Sequence, residues 1–153
     1  MKLLALALAS LVFSSGVSYA SSADHHHFPA LFVGTTTFDG DTDFTYGLEY
    51  EYKFSHQWGV GGVVEKTNDA HHGDGTSVAL VSLYLHPWQE LRVGVGFGKE
   101  KVGGAHGHKA SLTRVSVNYD FHLAGFGVAP TIAIDSIDGD TATVFGVAFV
   151  KSF

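Results

Sequence analysis

The alternation of apolar and polar residues is strongest over Phe44 to Phe54, FTYGLEYEYKF. One parity carries Phe44, Tyr46, Leu48, Tyr50, Tyr52 and Phe54; the other carries Thr45, Gly47, Glu49, Glu51 and Lys53. A period of two predicts a strand. A soluble sheet turns its apolar face to a core and its polar face to water. Here the apolar face is long and aromatic at both ends, and the polar face carries charge, which suits lipid on one side and a polar lumen on the other. Eleven residues at roughly 3.3 Å each span about 36 Å, and a tilt of about 40° brings this to about 27 Å of height, near the apolar band of a membrane barrel.

The same pattern divides the rest of the chain. It predicts strands over Ala30 to Phe38, Phe44 to Phe54, Trp58 to Glu65, Thr76 to His86, Leu91 to Gly98, Ala110 to Phe121, Phe126 to Asp135 and Ala142 to Phe153. Expected outward residues include Trp58, Val60 and Val64 on the third strand, Val93, Val95 and Phe97 on the fifth, and Thr113, Val115, Val117 and Tyr119 on the sixth. The fourth strand is ambiguous in phase; Ala79, Val81, Leu83 and Leu85 are placed outward and Tyr84 inward. Pro87 is expected to end that strand, and Pro130 to mark an irregularity. Loops are expected at 39–43, 66–75, 99–109 and 136–141, the third being the longest, with short turns at 55–57, 87–90 and 122–125. Phe54, Trp58, Trp88, Phe121, Phe126 and Phe153 then gather at the short-turn end as one aromatic girdle, with Phe38, Phe44, Tyr46 and Phe97 as a looser one opposite. The predicted fold is all-β: an antiparallel, up-and-down, eight-stranded transmembrane β-barrel spanning 30–153.

Composition adds a route and removes some functions. Met1 to Ala20 reads as a signal peptide: Lys2, an apolar run from Leu3 to Phe13, and small residues at Ser18 and Ala20 before a cleavage site. This implies Sec-type export and removal of the segment. Residues 21–29 then form a polar, histidine-containing lead. The net charge of −6 includes Lys2, so the processed chain carries −7. That balance argues against nucleic acid as a partner. There is no cysteine, so no disulfide and no lipid attachment at a thiol. No later stretch is apolar and long enough for a membrane helix, so crossing must be by a closed barrel.

The last strand, VFGVAFVKSF, carries a family resemblance. Terminal Phe153, preceded by alternating Phe149, Val147 and Phe145, resembles the C-terminal signal by which bacterial outer-membrane proteins are recognised for barrel assembly. With the signal segment and eight amphipathic strands, the chain resembles the small outer-membrane barrels of the OmpX and OmpA-domain type. The resemblance is architectural and covers nearly the whole processed chain. It implies residence in the outer membrane, with outer-membrane lipid and the barrel assembly machinery as partners. Members serve as structural, adhesive, small-solute or lipid-modifying proteins, so place is implied more firmly than activity.

Candidate chemistry falls into three groups. By parity the lumen holds Glu49, Glu51, Lys53, Glu65, Arg92, Arg114, Asn118 and Asp120, together with Asp135. Two nearby carboxylates suggest acid–base chemistry; an eight-stranded barrel filled by its own side chains, with Arg92, Arg114 and Lys53 balancing the acids, explains them more simply. Inward glycines such as Gly59, Gly94, Gly96 and Gly127 would leave room for a thread of water. Second, His108 and Ser111 lie close in sequence, as an outer-leaflet lipid-modifying enzyme would need, but no lipid-A deacylase or palmitoyltransferase motif is present; the expectation is a protein without enzymatic activity or catalytic residues. Third, ten histidines stand out. His71, His72, His106 and His108 fall in two outer loops, and His25, His26 and His27 in the periplasmic lead; His56, His86 and His122 also fall at the periplasmic end. Imidazoles so grouped are candidate ligands for Zn, Cu or Ni, or else solvate the loops and titrate near neutrality. The sequence thus points to a small outer-membrane barrel with a structural or surface-interaction role. A metal-binding barrel is the alternative, and a lipid-modifying enzyme a lesser one.

Overall fold

The computed structural model describes residues 25–71 and 73–153; the expected signal segment 1–20, residues 21–24 and His72 lie outside the described residues. Among the described residues nine strands follow one another: β1 (His27–Phe38), β2 (Asp41–Lys53), β3 (Trp58–Thr67), β4 (Thr76–Trp88), β5 (Leu91–Val102), β6 (Lys109–Tyr119), β7 (Phe121–Leu123), β8 (Phe126–Ile137) and β9 (Asp140–Val150). Sequential strands pair antiparallel, and β1 pairs with β9, which closes the sheet. β6 and β7 both pair with β8 and form one interrupted strand, so the barrel has eight staves. The interruption has a cause in the sequence. Asn118 faces Thr131 and Phe121 faces Val128, which sets Tyr119 opposite Pro130. Pro130 has no N–H to give the ladder, whereas on the other edge the pairing with β5 continues, the Asp120 N–H donating to the Glu90 carbonyl at 2.7 Å.

The strands are longer than the alternation predicts. β1 begins at His27 rather than Ala30: His26 and His27 donate to the Phe153 carbonyl at 3.1 Å, and Phe153 donates to His27. β3 runs to Thr67, β5 to Val102, and β6 begins at Lys109. The connection after β5 therefore shrinks to 103–108, and the longest is 68–75. Two outer connections are two-residue turns. Asp39-Gly40 and Asp138-Gly139 hold φ of 50° and 89°, and of 49° and 97°, as tight hairpins with the favoured twist need. Pro87 does not end β4. The strand continues to Trp88, and the register slips between Leu85 and Trp88, one extra residue on β4 making a bulge.

Parity holds nearly everywhere. Phe97 is 65% exposed and Val81 64%, whereas Glu51 and Asp135 are 2%. The fourth strand takes the chosen phase, with Tyr84 inside. The aromatic girdle at the short-turn end is exposed as expected, from Phe54 round to Phe153. Phe38 is the exception: it is not part of the outer girdle but packs inward, against a cluster of Val63, Leu80, Leu112 and Ile137. A second interior cluster surrounds Phe32, with Ala133, Val144 and Ala148. The interior therefore has apolar plugs as well as charge.

Candidate functional site

The lumen is built around two arginines. Arg92 on β5 donates from Nη2 to Glu49 at 2.9 Å, from Nη1 to Glu51 at 3.2 Å, and from Nε to the Asn118 amide oxygen at 3.2 Å. Its guanidinium lies 4.6 Å over the Tyr84 ring. Arg114 on β6 makes two forked pairs. Nη1 and Nη2 donate to the two Glu65 oxygens at 2.7 Å each; Nε and Nη2 donate to the two Asp135 oxygens at 2.6 and 2.7 Å. All of these side chains are buried. Such two-pronged, charge-assisted bonds fix a guanidinium in place. The space left between the two layers is about 10 Å³, room for about one water and no more.

The inward glycines do not open a water path. A Cβ at Gly94 would come within 2.9 Å of the Tyr84 ring, and one at Gly59 would collide with the Glu51 carboxylate. Their missing side chains make room for those of neighbouring strands. Among the described residues Lys53 forms no direct ion pair with a lumen acid; its ammonium sits 4.6 Å from the centre of the Phe28 ring, with Glu51 and Asp120 as its nearest charge partners. Asp120 stays near the periplasmic mouth, 3.6 Å from exposed His122. His86 takes part in the network instead. It is 5% exposed, and its Nε2 donates to Glu51 at 2.6 Å. The signal for this was available: the phase that puts Tyr84 inside puts His86 inside as well.

The other histidines divide by location. His26 donates from Nδ1 to the Lys53 carbonyl at 2.7 Å, and His27 shares a 2.6 Å hydrogen bond with the Tyr50 hydroxyl. Both rings lie against Tyr52 in the periplasmic girdle. His25 is exposed. At the outer end the two longer loops touch. The Gly103 N–H donates to the Gly75 carbonyl at 2.9 Å, and Glu100 lies within electrostatic reach of both His71 and His108. The His71 ring packs on Phe38, 5.4 Å between centroids, and His106 is exposed. Among the described residues, no group of three or more His, Cys, Asp or Glu stands close enough to hold a metal ion. Ser111 lies on the outward face of β6 opposite Lys99, and among the described residues no side-chain hydrogen bond joins it to His108.

No protein-family model matches the chain, and no curated protein matches it. Solved structures do. Ail, the attachment invasion locus protein of Yersinia pestis, superimposes with a TM-score of 0.57 at 14% identity, over 86% of this chain and 100% of Ail; Ail has also been solved with the heparin analogue sucrose octasulfate. The N-terminal β-barrel domain of Pseudomonas aeruginosa OprF gives 0.58 at 11% identity, over 82% of this chain and 98% of that domain. Neisserial surface protein A gives 0.58 at 5%, over 88% and 100%. At these identities the likeness is one of fold, and it agrees with the architectural resemblance read from the last strand. With a closed sheet, an apolar outward wall and an interior of buried charge and apolar clusters, the chain has the fold of the small eight-stranded outer-membrane β-barrels.

Proposed function

We propose that this protein is a small outer-membrane barrel that acts through its outer surface, in a structural or surface-interaction role, and not by passing solutes or by catalysis. The observation that carries this reading is the lumen. Among the described residues, two buried arginine layers and the interior clusters around Phe32 and Leu112 occupy the lumen, which supports a barrel without a porin-sized channel. The longer outer loops, 68–75 and 103–108, offer surface to a partner. That one structural neighbour is an attachment invasion locus protein supports the same reading. In this reading residues 1–20 direct export, and Phe145, Val147, Phe149 and Phe153 present the chain to the barrel assembly machinery. The test is conductance across a planar bilayer. The folded protein should give no porin-sized steps, and replacing both loops by Asn-Gly turns should abolish cell-surface binding while the barrel still folds. Porin-sized steps from the wild-type protein overturn the reading.

A second reading is favoured by the contact between the two histidine-bearing loops. There His71, His72, His106 and His108 bind Zn, Cu or Ni. Calorimetric titration of each metal into the detergent-folded protein decides it. Saturable binding lost on changing all four to Ala supports the outer site; binding retained moves it to His25, His26 and His27; no saturable heat removes it.

A further inference from the structure

The outer wall carries a row of lysines. On adjacent strands Lys66 faces Ser77, Ser77 faces Lys101, and Lys101 faces Lys109. Lys99 lies on the same face, one pleat nearer the membrane. All four lysines are exposed, and among the described residues none forms an ion pair with an acid. The acids next to them in sequence, Glu65 and Glu100, fall on the inward parity. Like charges placed directly opposite across a ladder are destabilising, so Lys101 against Lys109 favours an anion between them.

Directly below the row the wall is hollowed. Gly62 and Ala79 are small residues set among Tyr50, Val64 and Phe97, and they floor an apolar trough of about 710 Å³. It runs into a second hollow of about 700 Å³ that shares Leu48, Val64, Ala79 and Lys99 and reaches the lysines. Gly62 lies four residues below Lys66, about 13 Å along the strand. Cationic headgroup partners thus sit above a continuous acyl-sized groove on a surface that faces lipid.

We propose that this face of β2 to β6 binds a phosphorylated, multiply acylated glycolipid of the outer leaflet, its phosphate on the lysine row and an acyl chain in the trough. A soluble polyanion would engage the lysines but would have no use for the groove, and the two surfaces are contiguous. The site lies on the wall below the loops and stands whether or not the loops bind a partner.

The experiment is native mass spectrometry of the detergent-folded protein titrated with bis-phosphorylated lipid A. The wild-type protein should show one saturable adduct, weakened at least tenfold when the same lipid is dephosphorylated. The triple change K66Q/K101Q/K109Q should weaken it by a similar factor, while K66R/K101R/K109R keeps it. Gly62→Leu should also weaken it with every lysine in place; a Cβ there meets only the Leu80 carbonyl, at 3.6 Å, so the barrel tolerates the change. Folding of each variant is checked by the heat-dependent shift in gel migration. Equal binding of the dephosphorylated lipid by wild-type protein overturns the proposal without recourse to any variant. Displacement by sucrose octasulfate together with no effect of Gly62→Leu overturns it in favour of a soluble polyanion.

Discussion

Replacing Arg114 by Met tests the filled lumen most directly. Met keeps most of the volume of the arginine stem and removes the charge and all four bonds, which lie between 2.6 and 2.7 Å. Glu65 and Asp135, 6% and 2% exposed, are then left as buried acids without their cation. Removing one partner of a buried pair costs about 3–5 kcal/mol, because an uncompensated charge stays behind. At about 1.4 kcal/mol per decade, this is a rise of roughly two to three and a half decades in the unfolding constant. The assay is urea unfolding in lipid vesicles, followed by emission of Trp58 and Trp88, which sit exposed in the periplasmic girdle. The further variant Arg114→Met/Glu65→Gln/Asp135→Asn should recover at least half of the loss, since it removes the stranded charges. A loss below about 1 kcal/mol for the single change, the range of solvent-screened pairs, would mean that water reaches the network. A triple variant no more stable than the single one would mean that the loss comes from packing and not from charge.

Other expectations follow from the same geometry and can be read by the same unfolding assay. His86→Ala should cost about 1–2 kcal/mol through loss of its charge-assisted bond to Glu51, while His122→Ala, at an exposed site 3.6 Å from Asp120, should change stability by less than about 0.5 kcal/mol. Gly94→Leu should destabilise by about 1–3 kcal/mol or prevent folding, because the Tyr84 ring and Ser116 hydroxyl already occupy the space. Phe38→Ala should cost about 3–5 kcal/mol if its ring is interior packing, as its place against Leu80 and Leu112 requires; the small loss expected of a lipid-facing girdle residue would contradict that placement.

Alternation along the chain determined which residues face lipid and which face the lumen, and with it the barrel. That signal is local: successive side chains of a strand point to opposite sides, and the bilayer sorts them by polarity, so FTYGLEYEYKF carries its orientation in its own residues. The signal ends where the bilayer ends. Lys66, Lys99, Lys101 and Lys109 stand above the apolar band, where polar residues look like loop, yet the backbone ladder runs on through them, with the inward neighbours Thr67, Thr76, Val102 and Ala110 still buried in the barrel. Strand ends were therefore decided by the tertiary structure, and so was the lysine row, which exists only in the register between β3, β4, β5 and β6. Phe38 follows the same rule: it lies at a strand end, where aromatic character does not reveal direction, and it turned inward against the Leu80 cluster. The direction of His86 was legible from the phase of β4, and the tertiary structure added only its partner, Glu51. The sequence could name the lumen acids and arginines, but which arginine holds which pair of acids depends on the stagger of strands far apart in the chain, and only closure of the sheet settled it.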